Sequence, residues 1–289
     1  MSEREIDEFS GTETTGHEWG GIKELDTPMP RWWLWSFIAL IIWAVIYMAA
    51  YPSWPLITDT TKGFLGYSSR AELAETMKGV QASQQKFVDR INSLSLEEIR
   101  SDKELSEFAF AGGKSAYAIN CSQCHGSGAT GAPGYPNLND DNWLWGGSLK
   151  EIHATISHGI RFQQDEDTRA SEMPAFGRDE MLNSAQITQI ADFVLSLSKR
   201  EHDVESAKIG AAIYEENCTA CHGAAGQGDR EQGAPQLSNV LWLYGSEKAD
   251  IIKQITNPKH GVMPAWAGRL DEATIKQLTI YVHALGGGE

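Results

Sequence analysis

Two copies of the pentapeptide Cys-X-X-Cys-His contain all the cysteines of this chain. The copies are Cys121-Ser122-Gln123-Cys124-His125 and Cys218-Thr219-Ala220-Cys221-His222. Cys-X-X-Cys-His is the attachment signature of c-type haem. The two thiols of each copy can form thioether bonds to the two vinyl groups of one haem, and the histidine can supply a proximal nitrogen to its iron. The sequence therefore predicts two covalently bound haem c groups and a role in electron transfer.

Three other uses of paired cysteines account for these residues less well. A structural zinc site can be built from two Cys-X-X-Cys knuckles, but these are 97 residues apart and each is followed by histidine. A thioredoxin-like redox pair is expected beside a βαβ unit, and that pattern is absent around both motifs. Disulfide bonds would leave His125 and His222 without a role.

An internal repeat surrounds the two motifs. Gly113, Tyr117 and Asn120 recur at the same distance before the second motif, as Gly210, Tyr214 and Asn217. The match continues through Pro-X-Leu and Met-Pro-Ala-aromatic segments to a C-terminal apolar helix pattern. This indicates the duplication of a unit of roughly ninety residues, a size at which one core can form. We predict two tandem domains, residues 105–200 and 201–289.

The repeated Met-Pro segments suggest the second axial ligand of each iron. Thioether sulfur favours ferrous iron and raises the reduction potential, and a following proline stiffens the loop. Methionine also fills gaps in cores, and Met29-Pro30 is a similar pair with no haem motif nearby. Because Met173 and Met263 occupy equivalent positions in the repeat, we predict that they ligate iron, Met173 with His125 and Met263 with His222.

Histidines are the competing sixth ligands. His158-Gly159 and His260-Gly261 also recur, and His260 lies three residues before Met263. We expect these two histidines to be polar or turn residues on the loops that lead to the methionines. Three other histidines are expected on helix surfaces: His153, His202 and His283.

Apolar residues at helical spacing predict an all-α fold. The predicted helices of the repeats are 104–120, Leu149–Ser157, Ser184–Ser198, 207–217, Ser246–Thr256 and Asp271–Leu285. Asp271 is a predicted N-cap and Gly286 a predicted stop. The segments between the helices are rich in glycine and proline and show no convincing strands.

A run of twenty mainly apolar residues, Trp32–Tyr51, precedes the repeats. As a helix it is about 30 Å long, which is one hydrocarbon core. Aromatic residues lie at both of its ends, as at membrane interfaces. The long polar segment before it and the poor cleavage site at Ala49-Ala50 argue against a signal peptide, and a helix that is apolar all round argues against a buried soluble helix. We predict an uncleaved single-pass anchor.

Haem c is attached outside the bacterial inner membrane, so we expect residues 1–31 to be cytoplasmic and residues 52–289 periplasmic. The bias of Lys and Arg around the helix is too weak to decide the orientation. Residues 52–104 are expected to be a connector that contains an amphipathic helix, Ala71–Asn92.

The net charge of −15 argues against a nucleic-acid partner. An acidic surface is suited to steering a basic cytochrome c into contact. General solubility is an alternative reason for the same charge.

Both halves resemble the class I cytochrome c family. The resemblance implies that the first and last helices of each domain cross near Gly113/Tyr117 and Gly210/Tyr214. It also implies that the carbonyl groups of Pro136 and Pro235 accept a hydrogen bond from the proximal histidines, which orients the rings. Pro133 competes with Pro136 for this role, and the repeated Pro-X-Leu favours Pro136.

The whole chain resembles a narrower family, the dihaem subunit (CcoP or FixP) of cbb3-type cytochrome c oxidases. Three segments carry this resemblance: residues 15–33 (TGHEWGGIKELDTPMPRWW), residues 63–70 (GFLGYSSR), and His158-Gly159-Ile160-Arg161 followed by residues 172–177 (EMPAFG). Some members have an additional N-terminal membrane helix, which this sequence does not contain.

The resemblance implies a non-catalytic relay within an oxidase complex. Electrons from a soluble or anchored cytochrome c donor would pass through the two haems to a monohaem cytochrome c subunit and the catalytic haem-copper subunit. Two alternatives use the same residues. One is a free-standing dihaem carrier or the cytochrome subunit of a periplasmic dehydrogenase, and the other is a haem-based gas sensor or peroxidase, which needs an open iron position.

Overall fold

The computed structural model describes residues 5–288, and the chain forms two compact units that meet in sequence at Ser83 and Gln84. The first unit begins with an antiparallel hairpin of β1 (Thr14–Trp19) and β2 (Ile22–Leu25). Gly20 and Gly21 form its turn with positive φ of 57° and 91°, as tight hairpins require. We predicted no strands, although Gly-Gly between two short runs is a hairpin signal.

Helix α1 (Arg31–Ala50) follows, and it matches the predicted Trp32–Tyr51 within one residue at each end. Among the described residues it is the one helix with the length and composition to cross a membrane. Its last turn is satisfied by a returning loop, in which the N–H groups of Phe64 and Leu65 donate to the carbonyls of Ala49 and Ala50 at 3.0 and 3.2 Å. Helix ends need such partners for their free carbonyls.

Helix α2 (Ser69–Ser93) contains the predicted Ala71–Asn92. In the second unit its C-terminal part is packed into a core, where Phe87 stacks on Phe108 with ring centroids 4.6 Å apart and Ile91 is fully buried. A short helix that we did not predict, α3 (Leu96–Ser101), follows and begins with a capping box of Ser95 and Glu98.

Eight more helices complete the second unit: α4 (Lys103–Asn120), α5 (Ser122–His125), α6 (Leu149–His158), α7 (Ser184–Leu197), α8 (Val204–Asn217), α9 (Thr219–His222), α10 (Lys248–Thr256) and α11 (Glu272–His283). The six helices predicted in the repeats are all present, with ends within three residues of those expected. Asp271 is the N-cap of α11, as predicted, and accepts a hydrogen bond from the N–H of Thr274 at 2.8 Å. The helix ends before Gly286.

The long helices pair across the repeat boundary. Helix α4, from the first repeat, packs on α11, from the second. Gly113 lies at the crossing, where a Cβ would come within 2.7 Å of the carbonyl carbon of Gln277. Beside it the rings of Tyr117 and Tyr281 pack with centroids 5.3 Å apart.

The complementary pair is α7, from the first repeat, with α8, from the second. Here Gly210 lies against the backbone of Gln189, and the rings of Tyr214 and Phe193 are 4.9 Å apart. The predicted crossing points at Gly113/Tyr117 and Gly210/Tyr214 are therefore present. The prediction that each repeat pairs its own first and last helices is wrong, since the two copies carry the same interface residues and either pairing buries them.

Each middle helix, α6 or α10, packs with the motif of its own repeat and with the last helix of the other repeat. Ile152 and Ile156 of α6 pack with Tyr117 and with residues of α11, whereas Ile251 and Ile255 of α10 pack with Tyr214 and α7. We call α4, α5, α6 and α11 the first site, and α8, α9, α10 and α7 the second site. Each repeat thus gives its motif and middle helix to one site and its last helix to the other.

The loop after α6 and the loop before α11 carry the chain from one site to the other. We call them the crossing segments, and they pair with each other. The N–H of Ile160 donates to the carbonyl of Met263 at 2.9 Å, and the N–H of Met263 donates to the carbonyl of Ile160 at 3.0 Å. This antiparallel bridge joins the loop after α6 to the loop before α11.

Candidate haem sites

Each Cys-X-X-Cys-His motif ends in a single helical turn, α5 or α9, directly after the longer helix. The residue after each histidine, Gly126 or Gly223, has a positive φ of 80° or 72°, which glycine adopts without strain. The hydroxyl of Tyr117 donates to the carbonyl of Gly126 at 2.9 Å, and Tyr214 makes the same bond to Gly223. These matched bonds fix both motifs in one geometry.

Both histidines are held as iron ligands need to be held. Nδ1 of His125 lies 3.0 Å from the carbonyl oxygen of Pro136, and Nδ1 of His222 lies 3.0 Å from that of Pro235. A carbonyl can only accept, so the hydrogen is on Nδ1 and Nε2 keeps its lone pair. Burial lowers the pKa of both imidazoles and outweighs the bond to the carbonyl, which raises it. Both rings are therefore favoured in the neutral form that can bind a metal.

None of the four cysteines forms a disulfide bond, so their sulfurs are available for thioether bonds. Burial raises the pKa of Cys121 and of Cys218 to about 11, with a smaller contribution from the second cysteine of each motif. At neutral pH these thiols are protonated, which is unlike the low-pKa thiols of redox-active pairs.

The methionines have exchanged places together with the last helices. Met263 packs in the cluster that contains Tyr117 and Cys121, whereas Met173 packs in the cluster that contains Tyr214 and Cys218. We expected Met173 beside His125 and Met263 beside His222, but each methionine packs with the motif of the other repeat. Their ligation of iron stays a prediction. The same duplication that identified the methionines made their partners ambiguous.

The two recurring histidines, His158 and His260, each contact another residue of the chain. Nε2 of His260 accepts the N–H of Met173 at 3.1 Å, so this side chain supports the loop of the second site. Nδ1 of His158 contacts Asp165 at 3.2 Å. His153 and His202 are partly exposed, but His283 is buried, which corrects the prediction that it lies on a helix surface. It faces the core because α11 is covered by α3 and α4.

One continuous cavity of about 650 Å³ is lined by both motifs, both methionines, Pro136 and Pro235. Its lining is mostly apolar, as the binding of a porphyrin requires. Nε1 of Trp242 in this lining is buried and has no hydrogen-bond partner among the described residues. A buried N–H without a partner is costly, and a polar group of a bound cofactor would satisfy it. The residues present therefore fit two haem c groups.

Two aromatic residues at equivalent positions of the repeats, Trp145 and Tyr244, connect the two sites. The ring of Trp145 packs against Gly233, in the loop before Pro235, and the ring of Tyr244 lies 3.5 Å from the Cβ position of Gly134, in the loop before Pro136. Each ring thus packs against the loop whose proline carbonyl bonds to the histidine of the other repeat.

Two family models match the chain. Residues 11–58 match the N-terminal domain of cytochrome oxidase-cbb3, FixP. Residues 108–194 and 205–282 match the family described as cytochrome c oxidase, cbb3-type, subunit III. The second match falls twice on the chain, once on each repeat, so it supports the duplication as well as the family.

Curated relatives match over the full length. The cbb3-type cytochrome c oxidase subunit FixPc of Rhizobium leguminosarum bv. viciae is 56% identical over 288 residues, with 100% of both chains covered. FixP of Rhizobium etli is 53% identical with the same coverage. CcoP of Azospirillum brasilense is 50% identical over 296 residues, again with 100% of both chains covered. The chain therefore belongs to the FixP or CcoP family of cytochrome c subunits of cbb3-type cytochrome c oxidases.

Proposed function

We propose that this chain is the membrane-anchored dihaem relay of a cbb3-type oxidase, which accepts electrons from a cytochrome c donor and passes them towards the haem-copper subunit. The observation that carries the proposal is the continuous cavity into which both Cys-X-X-Cys-His motifs open. Two haems held by the residues of this cavity would be able to exchange electrons within a single subunit. Haem c supplies the one-electron carrier at each site.

The residues of the chain have separate roles in this proposal. Cys121 and Cys124 attach the first haem and Cys218 and Cys221 the second. Pro136 and Pro235 orient the proximal histidines, His125 and His222, and so keep Nε2 directed at the iron. Each histidine and methionine are supplied by elements that pack together, so little rearrangement has to accompany a change of oxidation state.

The axial pairs that we propose are His125 with Met263 and His222 with Met173. The support is the packing of each methionine with the motif of the other repeat. A variant with Cys121→Ala and Cys124→Ala is expected to retain the second haem alone. In that background Met173→His should lower the potential of the remaining haem and remove its thioether–iron absorption band, because imidazole lacks the preference of thioether for ferrous iron.

Met263→His is the matched control in the same background, and it should leave the remaining haem unchanged. The reciprocal background, Cys218→Ala with Cys221→Ala, should reverse the two results. If Met263→His altered the second haem and Met173→His did not, each repeat would ligate its own iron, and the exchange would be refuted.

We also propose that α1 crosses the inner membrane with the N-terminus in the cytoplasm, so that the haem sites are periplasmic, where haem c is attached. The proposed partners are the catalytic haem-copper subunit, the monohaem cytochrome c subunit and a cytochrome c donor. Purification from native membranes tests this. We expect two thioether-linked haems per chain, stoichiometric copper and both partner subunits. A dihaem protein that purifies without copper would instead be a free-standing carrier.

A further inference from the structure

Arg161 lies on the crossing segment between the two sites and lines the cavity that both motifs share. It follows Ile160, which forms the bridge to Met263. Its backbone has a positive φ of 52°, and its N–H donates to the carbonyl of Arg169 at 2.7 Å. A non-glycine residue in this conformation is uncommon and strained, so the surrounding structure holds this side chain in place.

The guanidinium of Arg161 is only partly satisfied by the protein. Nε donates to the carbonyl of Ser171 at 3.1 Å, and Nη1 donates to the carbonyl of Gly261 at 3.2 Å. A guanidinium has five N–H donors, and no bond to Nη2 is present among the described residues. Two carbonyls orient the group without neutralising it.

No carboxylate forms an ion pair with Arg161 in the part of the chain that the structure describes. Burial lowers the pKa of its guanidinium, while Tyr244 and Glu172 act in the opposite direction at longer range. The group also lies over the ring of Trp145, 5.9 Å from its centroid. A partly buried cation that is fixed in place and has free donors is suited to a planar anion, which an arginine fork binds with two hydrogen bonds.

The duplicated repeat has no second copy of this cation. The residues that follow His158-Gly159 are Ile160 and Arg161, whereas those that follow His260-Gly261 are Val262 and Met263. Arg161 therefore has no counterpart at the equivalent position of the second repeat, although the two sites are built largely from matched residues.

We propose that Arg161 binds a propionate carboxylate of one of the two haems and thereby raises the reduction potential of that haem above the value its axial ligands alone would give. The inference rests on the proposed function, since it requires both haems to be bound. A cation near the iron disfavours the oxidised state, which carries one more positive charge, and the effect is large in a cavity of low dielectric constant. Arg161 is a positioning residue, because it acts on the iron through the propionate and the electric field.

Potentiometric titration of the full-length, haem-replete protein tests this. Arg161→Gln should lower the midpoint potential of one haem more than that of the other, with both thioether–iron bands retained. In redox-difference infrared spectra, a carboxylate band of the wild type should shift in the variant. Arg161→Lys keeps the charge without the fork and should restore part of the potential.

Arg178→Gln is the matched control. Arg178 lies five residues after Met173, is exposed, and already pairs with Asp179 at 2.8 Å. It should leave both potentials unchanged. If Arg161→Gln does not retain both haems, Arg161→Met, whose unbranched chain can cover the same part of Trp145, takes its place.

If Arg161→Gln, or Arg161→Met in its place, keeps both haems and leaves both potentials unchanged, the inference is overturned. It is also overturned if Arg178→Gln shifts the potentials as much as the Arg161 variant does. Wild-type protein with fewer than two haems would instead refute the proposed function. The two failures are therefore distinguishable.

Discussion

Gly113→Ala tests the close contact at the crossing of α4 and α11. The new Cβ would lie 2.7 Å from the carbonyl carbon of Gln277 and 2.7 Å from Cβ of Tyr281, both on α11. Carbon atoms pack best at about 3.5–4.0 Å, so the helices α4 and α11 must separate by about 1 Å. Neither partner atom belongs to the flexible end of a side chain, so the clash cannot be relieved by a rotamer change.

The expected cost follows from two opposing effects. Overpacking of this kind costs about 1–3 kcal/mol, while replacing a helical glycine with alanine gains about 0.5–1 kcal/mol. The net loss is about 1 kcal/mol, near the middle of the difference between these two ranges. With a urea dependence of about 2 kcal/mol per molar, the unfolding midpoint of the first site should fall by roughly 0.5 M.

The assay is urea unfolding of the full-length protein in detergent, followed at the thioether–iron band. Midpoints rather than free energies are compared, because a protein with two sites need not unfold in one step. Gly112→Ala is the control, since its Cβ would meet the side-chain amide of Gln277, which can rotate. Its midpoint should stay the same or rise slightly, because the gain from alanine is not offset by a clash with backbone. Equal midpoints for the two variants would refute the close contact between α4 and α11.

Three further measurements address other parts of the structure. Asp192 is buried and pairs with Lys248 at 2.7 Å. Lys248→Met should lower the urea midpoint, at a cost of about 2–3 kcal/mol, which is less than for a fully buried pair because the lysine is partly exposed. Lys208→Met, at an exposed pair, should leave the urea midpoint unchanged. Burial raises the pKa of Asp192, but its hydrogen bonds, first that from Lys248, outweigh this and hold the pKa below its ordinary value. The stabilisation is therefore present above the unfolded-state pKa and lost as the pH falls through the lowered value. Thermal unfolding followed as the pH is lowered should show a smaller loss of stability in Lys248→Met. The rate of reduction by a basic cytochrome c should fall as salt rises, because exposed charges are screened beyond about 10 Å at 0.1 M; a rate measured by stopped flow that does not depend on salt would leave the acidity as a solubility feature.

Local sequence signals were sufficient for most helices and for the motif geometry. Apolar spacing and the N-cap at Asp271 located α11. The class I cytochrome c resemblance implied that the carbonyls of Pro136 and Pro235 meet the histidines, and the Pro-X-Leu repeat favoured Pro136 over Pro133. These features depend on residues that are near one another in sequence. The capping box at Ser95 and the Gly20-Gly21 turn are equally local signals, so α3 and the hairpin of β1 and β2 could also have been predicted from the sequence.

The exchange of partners could not be predicted in this way. Phe193 and Tyr281 are equivalent residues, and each can pack against the tyrosine of either first helix. The choice depends on how the segments after α6 and before α11 run, which is fixed by contacts such as the Ile160–Met263 bridge. A duplicated sequence offers both arrangements the same interfaces, and only the three-dimensional path of the linking segments separates them.

The exchange has a consequence for biogenesis. The first haem motif is translated before the second, but the helix that completes the core around it, α11, and the methionine that packs there are near the C-terminus. The core around the earlier motif therefore stays open until almost the whole chain has been made. A chain that stopped before Met263 would lack the last helix and the methionine of the first site, while the second site would still have Met173 and α7. Only a chain that has been translated through α11 can therefore form the complete core of the first site.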